Sequence, residues 1–87
     1  MFNERLRSTR KLRKLKLQQM ADMLDISLRA YQHYEQGERS PSFDCLINIA
    51  DILQVPIDYL LGRDEFLKSL GVSVDEYQIN LQGNPKD

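Results

Sequence analysis

Between residues 28 and 36 the chain sets Arg29, Gln32, His33 and Gln36 at helical spacing behind Leu28, with Glu35 the one acid in the stretch. At roughly 100° per residue, Leu28, Arg29, Gln32, His33 and Gln36 share an outward arc of roughly 140° that contains no acid. Ala30, Tyr31 and Tyr34 face the opposite way, which makes the two tyrosines core residues rather than stacking platforms. The chemistry open to such an arc is recognition, not reaction. A guanidinium at Arg29 has the paired donors to grip guanine O6 and N7, and the Gln32 carboxamide matches the edge of adenine. Leu28 suits a thymine methyl, and His33 completes the set of groups placed to touch base edges. Enzyme chemistry finds no footing. There is no glycine-rich phosphate loop, no metal-ligand spacing, and no Ser or Cys arranged with the lone His33 as a nucleophile, so neither metal nor cofactor is expected.

The elements that must hold this arc are readable on either side. From Leu17 to Leu24, Met20, Ala21 and Leu24 form the stripe of a core-facing helix. The small Ala21 lets a second helix cross closely without a void. Asp25 supplies a left-handed turn residue, Ile26 enters the core, and Ser27 caps the helix that follows. Gly37 ends that helix, and Arg39, Ser40 and the rigid Pro41 lead to Ser42, the cap of another helix. The unit is two short helices joined by a three-residue turn.

Residues Met20 to Ser42, flanked by Arg5 to Arg10 and by Ile49 to Gly62, resemble the phage-repressor and Cro-like (XRE-type) helix-turn-helix family. Ala21, Ile26-Ser27, Tyr34-Glu35, Gly37, Pro41-Ser42 and the closing Asp58 to Gly62 fall in the family's order and spacing. The resemblance implies an all-α fold, a compact five-helix lambda-repressor-like DNA-binding domain over residues 1–62, with a short C-terminal extension over 63–87. It also implies phosphate contacts at Arg10, Lys16, Gln36, Arg39 and Ser40, and a structural ion pair between Arg10 and Glu35 that makes a buried acid tolerable beside DNA. Two departures stand out. Lys16 and Leu17 occupy positions where the family often has Ser or Thr followed by Gln, and Asp25 stands where Gly is common.

Composition and length bound the remainder. Eighty-seven residues, 41% of them hydrophobic, predict one small core with no room for a small-molecule effector domain. No apolar run approaches the ~18 residues of a membrane span, and the start of the chain is charged from Glu4, so a cytoplasmic, nucleoid-associated protein is expected. One cysteine, Cys45, excludes an internal disulfide and reads as a small buried side chain. The net charge of −1 conceals a split: nine Lys and Arg against five acids in residues 1–40, and three against eight in 41–87. A basic face on the N-terminal half is the local footprint of a nucleic-acid binder.

Further helices are expected at about 3–14, 43–53 and 56–62, the second burying Leu46, Ile49, Ala50 and Leu53. A helical turn at 64–70 should stop at Gly71, and Tyr77, Ile79 and Leu81 alternate as a strand does. Val55, Tyr59, Phe66 and Tyr77 offer more apolar surface than a 62-residue core needs and predict a homodimer interface. The function these features predict is a sequence-specific DNA-binding transcriptional regulator, most simply a dimeric repressor reading the major groove of an inverted-repeat operator with helix 28–36. The alternative is a protein-interaction module of the antitoxin type, binding a partner through its acidic C-terminal half.

Overall fold

The computed structural model describes residues 1–78, and every regular element among them is helical. Helix α1, Phe2–Leu12, stops two residues short of the expected end because Lys14 adopts φ 59, a left-handed conformation. The amide of Leu15 then turns back to the carbonyl of Arg10 at 3.2 Å. Helix α2, Leu17–Leu24, and helix α3, Leu28–Gln36, have the bounds that their spacing predicts. Between them Asp25 takes φ 57 and ψ 45, the turn conformation that Asp enters at lower cost than most residues. Ser27 Oγ accepts the amide of Ala30 at 3.0 Å and so caps α3. Gly37 closes α3 at φ 78, where an added Cβ would also crowd the Asn3 side chain at 3.2 Å.

Helix α4, Phe43–Leu53, begins at Ser42, whose Oγ accepts the amide of Cys45 at 3.1 Å. Helix α5, Ile57–Leu60, follows Pro56. Two elements lie beyond it: helix α6, Asp64–Ser69, and a 3-10 turn at Val74–Gln78. Tyr77 therefore belongs to a helical turn rather than a strand, while Ile79 and Leu81 lie outside the described residues.

The apolar stripes converge on one core. Leu6, Met20, Ala21, Tyr31, Ile49, Ala50, Leu53 and Leu60 are buried in it, with Leu46 and Leu24 packed at its margin. Residues beyond 62 close the same core through Leu67 and Val74. This corrects the reading of Val55 and Tyr59 as dimer surface, since they are only 7% and 1% exposed. The reason is local. Tyr77 lays its ring 5.1 Å from that of Tyr59, and Arg5 of α1 stacks its guanidinium 4.2 Å above the same ring.

Arg5 also donates to the carbonyl of Tyr59 at 3.0 Å and forks onto Asp64 at 3.1 and 3.2 Å, fastening α6 to α1. The hydrogen bond from Arg5 holds the Asp64 carboxyl below its usual range. A lowered folded-state value means that this fastening is fully present above the ordinary carboxylate range and is lost as pH falls below that range through the lowered value. Arg13 is buried as well, at 5% exposure, and its Nε donates to the carbonyl of Leu53 at 2.8 Å, at the C-terminal end of α4 where a cation is favoured.

A second arginine on α1 fixes α3. Arg10 Nε and Nη2 donate to the two carboxylate oxygens of Glu35 at 2.6 and 3.1 Å, and its Nη1 donates to the carbonyl of Leu15 at 2.9 Å. The Tyr31 hydroxyl donates to Glu35 from one turn back on α3, at 2.5 Å. Burial, reinforced by Glu35, raises Tyr31 well above the ordinary phenol range, so it remains a neutral donor. Hydrogen bonding to Glu35 raises Arg10 too, so its guanidinium stays protonated.

Two outcomes follow for stability. Leu67→Ala should lower the unfolding free energy by about 2–5 kcal/mol, as a core truncation does. Chemical denaturation checks this, and a change within about 0.5 kcal/mol would mean that residues beyond 62 contribute only a solvated surface. Glu35→Ala should cost about 3–5 kcal/mol by stranding the Arg10 charge, whereas the apolar replacement Arg10→Met with Glu35→Leu and Tyr31→Phe should recover most of that loss. A single variant as stable as the parent would show that the pair does not hold α3.

Candidate nucleic-acid interface

The outward face of α3 is set by what its inward face must do. Tyr31 is buried and Glu35 is tied to Arg10, so the helix cannot rotate without breaking both, and the residues opposite them are turned to solvent. Arg29 and Gln36 are exposed there, with Leu28 and Gln32 half-buried beside them. Arg29 has no ion-pair partner among the described residues, so its five donors are free for an incoming acceptor. His33 differs from its neighbours on the arc. Its Nδ1 is paired with the Glu38 carboxylate just past the helix end, which turns it toward the rim rather than the middle of the face.

The cap at Gly37 wraps the chain back so that the amides of Glu38 and Arg39 meet the carbonyl of His33 at 2.9 and 3.3 Å. This brings Arg39 and Ser40 to the surface beside the end of α3, both exposed. Lys16 is exposed at the start of α2. Its ammonium has no lone pair with which to cap that helix, and half of the missing cap is supplied by Gln19, whose Oε1 accepts the Lys16 amide at 2.8 Å. Gln19 escaped the sequence reading, although a Gln at the third helical position is the signal for it.

Arg10 does not stand where an exposed phosphate anchor must. Its guanidinium donors are spent on Glu35 and Leu15, and the side chain is almost wholly buried, so its part in the interface is the ion pair. Above that pair lies a cleft of about 260 Å³ between α1, α2 and α3, lined by Arg7, Arg10, Leu17, Gln32, Glu35 and Gln36. Arg5, Arg10, Arg13 and Arg63 all have partners within the fold. Arg7, Arg29 and Arg39 do not among the described residues, and with the exposed Lys11, Lys14 and Lys16 they are the cations left free in residues 1–40. The acids of that half are largely engaged: Glu35 with Arg10, Glu38 with His33, and Asp22 as acceptor from Gln18. The positive balance of the N-terminal half is thus available at the surface near α3.

Of the four residues expected at a dimer surface, Phe66 is exposed but carries the Arg63 guanidinium 4.2 Å above its ring, and Tyr77 covers Tyr59. The open apolar surface lies elsewhere. Phe43, 86% exposed at the start of α4, lines a groove with Phe2, Pro41, Leu46 and Leu61, and Ile47 stands exposed one turn further along α4. Cys45 is half-buried against Tyr34, whose hydroxyl is raised by burial and then by this thiol. The described residues hold no group of three or more His, Cys, Asp and Glu able to bind a metal, and no helix among them is long and apolar enough to cross a membrane.

Comparison with known proteins agrees with this geometry. A helix-turn-helix family model matches residues 6–60. The chain is 52% identical over 61 residues to an uncharacterized HTH-type transcriptional regulator, YqaE, of Bacillus subtilis, a match covering 70% of this chain and 53% of the relative. It is 47% identical over 62 residues to the cryptic phage CTXphi transcriptional repressor RstR of Vibrio cholerae, covering 71% and 55%. Over 89 residues it is 32% identical to the HTH-type transcriptional regulator AnsR of Bacillus subtilis, covering 94% and 77%. The chain thus spans about half the length of the first two of these relatives. No solved structure matches it. The matched residues contain both helices of the turn, the Arg10–Glu35 pair and the free face of α3, and the chain belongs to the helix-turn-helix family of transcriptional regulators.

Proposed function

We propose that this chain is a sequence-specific DNA-binding regulator, most simply a dimeric repressor, that inserts α3 into the major groove of an inverted-repeat operator. The observation that carries the reading is the free Arg29 on an acid-free face of a helix whose orientation is locked from behind by Arg10, Glu35 and Tyr31. Leu28, Arg29 and Gln32 read base edges in this account, and His33 touches the rim of the site. Lys16, Gln36, Arg39 and Ser40 hold the phosphate backbone, with Arg10 acting through Glu35 rather than on DNA.

Dimerisation follows from scale. One recognition helix spans only a few base pairs, and two copies reading half-sites one turn apart sit about 34–36 Å centre to centre. The described fold measures 35 × 30 × 19 Å, so two such copies lying with the long dimension along the duplex would meet along an edge. We place that edge at Phe43, Ile47 and Leu61, since these are exposed apolar residues and only six residues separate α3 from α4. Val55 and Tyr59, expected there from the sequence, are buried and offer a second copy little surface.

Selection from random duplex DNA tests the reading. The wild-type protein should enrich an inverted repeat with half-site centres about 10 base pairs apart. Arg29→Ala should lose about 1–3 kcal/mol of discrimination at one base pair per half-site while remaining folded, and Arg39→Ala should weaken all sequences alike. A uniform loss with an unchanged motif for Arg29→Ala would refute its role as a reader. In sedimentation at micromolar concentration Phe43→Glu should convert a dimer to a monomer. A variant that stays dimeric would move the interface away from this edge.

A further inference from the structure

Resting on the reading of α3 as the groove helix, we propose that the cleft between α1, α2 and α3 seats a DNA backbone phosphate held by Arg7. Nothing in the match to the family assigns Arg7 a part. Three observations point to it. First, the electrostatics of the cleft reduce to this one residue: Arg10 and Glu35 lie at its floor as a closed bidentate pair and cancel, which leaves the Arg7 guanidinium as the uncompensated charge of the lining. Second, Arg7 is exposed and has no ion-pair partner among the described residues, in contrast to Arg5 and Arg10 of the same helix, which pair with Asp64 and Glu35. Third, the remaining lining fits an oxyanion. Gln36 of α3 contributes a carboxamide donor along one wall beside Gln32, whose own carboxamide is assigned to a base edge, while Leu17 on the α2 side contributes none.

The placement selects phosphate over base. A helix that enters the major groove, about 12 Å wide, is bordered on both sides by the sugar-phosphate strands. The cleft is walled by residues of α1 and α2 as well as α3, so on this reading its occupant comes from the bordering strand rather than from the base edges beneath α3. A guanidinium fork on a partly enclosed phosphate is the stronger form of such a contact, because two parallel N–H donors meet two oxygens.

The test is the salt dependence of binding to a duplex carrying the selected site, measured for the full chain, Arg7→Ala, Arg7→Lys and the control Arg63→Ala. One phosphate contact accounts for about 0.9 of the slope of log K against log salt on duplex DNA. Arg7→Ala should reduce the slope by about that amount per half-site and weaken specific and unrelated duplexes by the same factor. Arg7→Lys should keep most of the slope, and Arg63→Ala should leave it intact. A neutral methylphosphonate placed at successive backbone positions should weaken wild type at one position per half-site that no longer matters to Arg7→Ala. A folded Arg7→Ala with the wild-type slope overturns the proposal while leaving the α3 reading in place. Binding of inorganic phosphate at Arg7 with an unchanged slope on DNA makes the cleft a free-anion site and overturns it too. A wild-type chain that binds no duplex overturns both readings.

Discussion

The Arg10–Glu35 pair is the constraint on which the rest of the molecule depends. A helix that approaches a polyanion gains nothing from a carboxylate, yet α3 carries Glu35 on its inner side, and the protein uses that acid as an internal anchor. Removing a carboxylate from water is costly unless its lone pairs are taken up. Here they accept two donors from Arg10 and one from Tyr31, and the ion pair as a whole carries no net charge toward DNA. Because both side chains are withdrawn from solvent and the arginine is held protonated, the arrangement is a fixed strut between α1 and α3.

Around that strut the turns are built with residues that are not the easiest choice. Lys14, Asp25 and Gln54 all occupy left-handed conformations without being glycine. Each costs on the order of 1 kcal/mol relative to glycine, with Asp the least penalised. They lie at the joints that separate α1 from α2, α2 from α3 and α4 from α5, where the surrounding helices over-determine the backbone. Side-chain caps at Ser27 and Ser42 offset part of that cost and define where α3 and α4 begin.

What was legible in the sequence was local. The bounds of α2 and α3, the left-handed Asp25, the caps at Ser27 and Ser42 and the terminating Gly37 each depend on residues within four positions of one another. What was not legible was long-range. Arg5, Arg10 and Arg13 look alike in a basic run, but each is claimed by a partner that lies 59, 25 or 40 residues away, and nothing in their spacing announces it. Tyr59 reads as spare apolar surface until Arg5 and Tyr77 are found on its ring. The alternation around Tyr77 was too short to distinguish a strand from the 3-10 turn that forms. The same sorting reveals the free cations, because subtracting the arginines engaged by the fold leaves those that face outward around α3.

The account predicts where on the surface of the protein DNA will be felt. Amide chemical-shift titration of the full chain with a duplex bearing the selected site tests this most directly. The largest changes should fall on residues 28–40 and at the start of α2, while the amides of α6 and the 3-10 turn stay nearly still. Changes concentrated on α4 and α6, with the outer face of α3 unmoved, would contradict the claim that the locked face of α3 is the DNA-reading surface.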